Sequence, residues 1–208
     1  MPGDRGAMSH LRLVEPAMPR ALAYTNRMGD TYYLHEGKTK TGKPRYFFAK
    51  TIREGAITQM PEGFEVSESV NAVVSARRKR KDGAQVPAAD LEVVRETMQR
   101  LRHLRDCVVR ADGKAIVIYE PYPRREQLEG SDFGFGRRLP ASYIEDRMKK
   151  AQLSPVMKFE WEGDEYAVYR MTYRGEGGWS YPLDHGPLER LARKYVRPVG
   201  TEQFFDLM

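Results

Sequence analysis

The run CVVRADGKAIVIYE, residues 107–120, constrains the fold of this chain more than any other segment. Two β-branched runs flank Asp112-Gly113. β-branched side chains suit a pleated, half-buried surface, and an Asp-Gly pair supplies the two positive-φ positions that a two-residue type I′ turn demands. The segment therefore predicts an antiparallel hairpin turning on Asp112-Gly113.

Other segments repeat that grammar. TYYLHE from Thr31, then GKTKTGK, then PRYFFAK reads as two aromatic strands joined by a lysine-rich loop. A turn at Pro61–Gly63 precedes strand-like FEV, and Ala72–Ala76 reads as a further strand. Val156–Trp161 pairs with Tyr166–Tyr173 around Glu162-Gly163-Asp164-Glu165. Helices stand between these strands. Leu91, Val94, Met98, Leu101 and Leu104 recur at spacings of three and four after Pro87, a residue suited to a first helical turn. Ile144, Met148 and Ala151 mark a second helix. Leu188, Leu191, Ala192 and Tyr195 mark a third after Pro187, and an apolar tail ending in Phe204, Phe205, Leu207 and Met208 is expected to dock on the core. The expectation is an α+β fold of antiparallel hairpins with three or more helices. Residues 1–23, with three prolines and no sustained period, read as an arm. A β-rich subdomain over 24–120 is followed by a linker or loop at 121–140, rich in Pro, Gly and Arg, and by a C-terminal α+β subdomain over 141–208.

At 208 residues with 40% hydrophobic side chains, the chain can build a core without metal or disulfide staples. Cys107 is the single cysteine, which excludes an intramolecular disulfide and suits a reducing, cytoplasmic compartment. The N-terminal residues lack a signal-peptide core, and no apolar run approaches the 18 residues of a membrane span. No membrane association and no cofactor are expected.

The formal charge of +6 carries meaning only through its distribution. Lys38, Lys40, Lys43, Arg45 and Lys50 lie on or beside the first hairpin, and Arg77, Arg78, Lys79, Arg80 and Lys81 run without interruption. Density of that kind attracts phosphates, and Tyr32, Tyr46 and Phe48 can stack on bases, so a nucleic-acid partner is the leading expectation. Solvated turns over aromatic core residues account for the same pattern. Trp179 and Tyr181, in a glycine-rich loop, are the candidates for a protein interaction.

Gly37–Lys43 matches the opening of the phosphate-loop pattern, but Pro44 stands where the Mg²⁺-holding hydroxyl belongs and a strand follows where a helix is needed. Nucleotide binding there is rejected. Tyr32-Tyr33-Leu34, the GKTKTGKP run and Tyr46-Phe47-Phe48, with the Phe204–Met208 ending, resemble an uncharacterised family of bacterial proteins. That resemblance implies no activity and assigns no residue a role.

Catalytic candidates are thinner. His10, His35, His103 and His185 lack zinc-ligand spacing. Asp184-His185 invites comparison with an acid–base pair. Glu160, Glu162, Asp164 and Glu165 invite comparison with a Mg²⁺-dependent nuclease, although strand alternation turns Glu160 and Glu162 away from Phe159 and Trp161, towards water. The sequence points away from an enzyme. It favours a nucleic-acid-binding or nucleoprotein-associated accessory protein, then an adaptor, then a nuclease.

Overall fold

The computed structural model describes residues 21–79, 85–131, 138–172 and 178–207, and the chain divides into two units. The first contains 1–67 and 74–78, the second 68–73 and 79–208.

In the first unit, β1 (Ala23–Thr25), β2 (Thr31–Lys38) and β3 (Pro44–Ala49) form an antiparallel sheet in that order. Asn26 closes the β1–β2 turn, its side-chain oxygen accepting the backbone N–H of Met28 at 3.0 Å and of Asp30 at 2.9 Å, an Asx turn. Opposed pairs share a face, so Leu34 with Phe48 and Glu36 with Tyr46 lie on one side, and His35 with Phe47 and Gly37 with Arg45 on the other. His35 is fully buried. Its Nε2 accepts the Arg53 backbone N–H at 3.0 Å, so Nδ1 carries the proton and donates to the Tyr33 carbonyl at 2.8 Å. The ring stacks on Phe47 at 5.4 Å. His35 is thus a structural pin. It holds the loop after β3, whose Gly55 carbonyl accepts the Glu36 N–H at 2.7 Å. Gly55 adopts φ +85°, and a Cβ there would meet the Glu36 carbonyl oxygen at 2.4 Å, so only glycine fits. β4 (Phe64–Glu68) and β5 (Val74–Arg78) make a two-stranded sheet, and Phe64 meets Tyr46 edge-on at 4.8 Å.

The second unit is a five-stranded antiparallel meander: β6 (Val108–Asp112), β7 (Ala115–Tyr122), β8 (Gln152–Trp161), β9 (Tyr166–Arg170) and β10 (Asp184–Gly186), each beside the next. The central hairpin forms where the sequence predicts it, with its turn shifted by one residue. Asp112 pairs with Ala115 as part of the ladder, and Gly113-Lys114 makes the turn. Only Gly113 has positive φ, +62°, which fits a type II′ turn with glycine first.

α1 (Ala88–Gln99), α2 (Arg125–Glu129), α3 (Ala141–Lys149) and α4 (Leu188–Tyr195) complete the unit. Ile116, Ile118, Met157, Phe159 and Val168 line one sheet face and bury against Val94 and Met98 of α1 and Leu188, Leu191 and Ala192 of α4. Phe204, 6% exposed, docks the C-terminal tail in the same core, and the Arg170 guanidinium donates to the carbonyls of Phe204 and Phe205 at 2.8 and 2.9 Å. No helix among the described residues is long and apolar enough to cross a membrane.

The division of the chain differs from the one read in the sequence. Residues 121–140 do not separate two subdomains, because β7 pairs with β8 from Ala115–Glu160 to Tyr122–Gln152, across that segment. The segment also holds α2, with Arg125 only 8% exposed. Arg125 binds both oxygens of Asp106, at 2.7 and 2.8 Å, and Glu145 at 2.7 Å, tying the turn after α1 to α2 and α3. Pro and Gly content reports that a chain turns, not which strands pair beyond the turn.

Candidate functional site

The two units differ sharply in charge. The first carries twelve lysines and arginines against seven acids, a net +5, whereas the second carries 23 against 22, a net +1. Most of the excess therefore falls on the smaller unit, where it can act as a patch.

Its focus is the β2–β3 hairpin. Lys38 ends β2 opposite Pro44, and the Thr39 hydroxyl accepts the Lys43 backbone N–H at 3.1 Å to close the tip. Lys38, Lys40, Lys43 and Arg45 are all exposed, and none makes an ion pair among the described residues. Arg45 lies over the Phe47 ring at 5.9 Å. The remaining predicted cations are less free. Lys50 is held by Asp30 at 3.1 Å and lies over Tyr32, Arg77 is bound to Glu65 at 2.8 Å, and Arg78 sits over Phe64 at 5.4 Å. Lys79 is exposed, and Arg80 and Lys81 lie outside the described residues. Strands on both sides of the loop confirm that Gly37–Lys43 is a hairpin tip and not a phosphate loop entering a helix. Tyr46 and Phe48 are half-buried, and Tyr46 already packs on Phe64, so these rings are only partly open to a base.

The second unit places a different group together on the sheet face opposite α1 and α4. Register puts Val117, Lys158 and Tyr169 in one row and Ala115, Glu160, Ala167 and His185 in the next. The Lys158 ammonium donates to Glu160 at 2.6 Å and sits over the Tyr169 ring at 4.3 Å and the Trp179 ring at 5.2 Å. Lys114 reaches Glu160 from the other side at 2.9 Å. Burial pushes the Glu160 carboxyl up, but the hydrogen bonds from Lys158 and Lys114 outweigh it and hold the group below the usual carboxylate range. Burial, then the hydrogen bond to Glu162, pushes the Tyr169 phenol up to about 12, so it stays protonated and donates to Glu162 at 2.7 Å. Glu162 also stands 3.5 Å from His185 Nε2.

These carboxylates are consumed by partners. Glu160 faces its lysines and Glu162 faces Tyr169 and His185, and the described residues contain no group of three or more His, Cys, Asp or Glu able to hold a metal. Asp184 does not form a dyad with the His185 ring. Its carboxylate accepts the His185 backbone N–H at 2.9 Å, Arg190 at 3.0 Å, Lys194 at 3.0 Å and the Tyr195 hydroxyl at 3.1 Å, and the hydrogen bonds from Arg190 and Lys194 hold it far below the usual range. It anchors α4 to β10. Burial pushes the Cys107 thiol up to about 12, which leaves it without thiolate character.

Trp179 and Tyr181 part company. Trp179 is half-buried under Lys158, whereas Tyr181 is 92% exposed. Sequence reasoning missed Lys158, which gathers Tyr169 and Trp179 around its ammonium. Its only local signal was a lone lysine between two buried apolar neighbours, Met157 and Phe159. No family model, no curated protein and no solved structure matches this chain.

Proposed function

We propose that the protein is a nucleic-acid-binding accessory protein whose primary contact is the β2–β3 hairpin. The observation that carries this reading is the cluster of Lys38, Lys40, Lys43 and Arg45, exposed and without ion pairs among the described residues, on a unit of net charge +5. Ammonium and guanidinium groups that no carboxylate already holds neutralise phosphates and release counterions, which makes affinity fall with salt. In a titration of labelled oligonucleotide at rising KCl, the triple variant K38E/K40E/K43E shows a slope of log affinity against log salt that is shallower by about three, one per lost phosphate contact. The weakening is equal for unrelated sequences, because backbone contacts carry no sequence information. A wild-type complex indifferent to salt removes the reading.

A protein-interaction module is the second reading, favoured by the exposure of Tyr181. Trp179 serves it as a support. Trp179→Ala is expected to lower stability by about 2 kcal/mol through loss of the Lys158 contact, while Tyr181→Ala leaves thermal melting unchanged. An unchanged melt for Trp179→Ala would show the indole to be held by nothing.

A further inference from the structure

Arg100 meets Arg193 and Arg197, which lie more than ninety residues further along the chain, in the second unit. α1 and α4 lie side by side and run the same way. Near their starts, Asp90 accepts the Tyr166 hydroxyl, and Tyr166 pairs with Gly186 just before α4. Past their ends, His103 Nε2 stands 3.2 Å from the Arg197 carbonyl. Between them runs a groove of about 410 Å³, within the size range of small-ligand sites.

The groove is polarised along its length. Arg100, just past the end of α1, faces Arg193 and Arg197 of the α4 side at one end, Val93 and Leu101 supply apolar surface along the α1 side, and Glu189 stands near the start of α4. Arg193 and Arg197 are exposed and make no ion pair among the described residues. Among the described residues Arg100 pairs only with Glu96, at 3.8 Å, with both side chains largely in water. Complementing the helix dipoles does not use up this charge. Two helix C-termini contribute roughly half a negative charge each, so three guanidiniums, less Glu96, leave this end positive by about one unit. Val93 and Arg100 lie roughly 10 Å apart along the helix, room for a flat apolar ring beside a charged group. Guanidinium forks suit phosphate oxygens in particular.

We infer that this groove receives one nucleotide of a nucleic-acid strand, its phosphate on Arg100, Arg193 and Arg197 and its base against Val93 and Leu101. The inference deepens the nucleic-acid reading and rests on it. Fluorescence anisotropy of a labelled single-stranded oligonucleotide with the full chain tests both separately. R193Q/R197Q is expected to weaken binding roughly tenfold and to make the salt slope shallower by about two. Its melting stays at the wild-type value because both side chains are exposed, and R193K/R197K keeps the slope. If K38E/K40E/K43E loses affinity while R193Q/R197Q keeps wild-type affinity and slope, the groove inference fails and the hairpin reading stands. If the wild type shows no salt-dependent binding, both fail. Saturable binding of a free nucleoside monophosphate without any effect of R193Q/R197Q on the oligonucleotide would likewise overturn the strand assignment.

Discussion

Phe159→Ala is expected to destabilise the second unit by about 4 kcal/mol, the largest loss from any single truncation proposed for this protein. Phe159 is fully buried at the centre of the sheet, between Ile116 on β7 and Val168 on β9, with α1 and α4 closing over it. Removing the ring forfeits its transfer energy, and the strands on either side cannot collapse into the void without breaking their ladders, so the cavity cost adds in full. Chemical denaturation followed by far-ultraviolet circular dichroism measures the loss. A decrease below about 1 kcal/mol would mean that the helices do not seal this face. The hairpin of the first unit is untouched, so oligonucleotide affinity is expected to persist under conditions where the variant remains folded.

Arg125→Met is expected to cost about 3 kcal/mol, the low end for breaking a buried ion pair. Methionine matches the length of the arginine stem, so the loss isolates charge and hydrogen bonding. The low end applies because Asp106 keeps 22% of its side-chain surface in water and Glu145 keeps 58%. The pair also shapes the acid limb. Hydrogen bonding to Arg125 holds the Asp106 carboxyl below its usual range, so the native state binds fewer protons than the unfolded one. That contribution is fully present above the unfolded value near pH 4 and is lost as the pH falls through the lower native value. Arg125→Met should therefore flatten, but not abolish, the acid dependence of the midpoint, since Asp184 retains its own depressed carboxyl. An acid limb identical to wild type would show that Asp106 does not depend on Arg125.

Both positions illustrate where local reading ends. Phe159 was legible: it alternates with polar neighbours in a run of strand composition, and period-two alternation places it on the buried face whatever the rest of the chain does. The helix faces were legible for the same reason. Leu188, Leu191, Ala192 and Tyr195 recur at helical spacing, and all four are buried. The lysine-rich hairpin tip was legible because Pro44 and the aromatic strands on both sides exclude a helix at that loop.

Arg125 was not legible. It sits in a segment whose prolines and glycines read as a linker, and its meaning comes from Asp106 and Glu145, about twenty residues away on either side. Lys158 gains its aromatic neighbours from β9 and from the loop at Trp179, and the arginine groove gathers Arg100 with Arg193 and Arg197 only because two helices lie parallel on one sheet. Turn chemistry and hydrophobic period are properties of short stretches, so they survive in the sequence and set the elements, their buried faces and the basic hairpin. Ion-pair partners, the grouping of β6–β10 into one unit and the convergence of charges depend on which elements pack together. That choice is made by burying the apolar faces of α1 and α4 against Ile116, Phe159 and Val168, and it leaves no periodic trace in the residues it brings into contact.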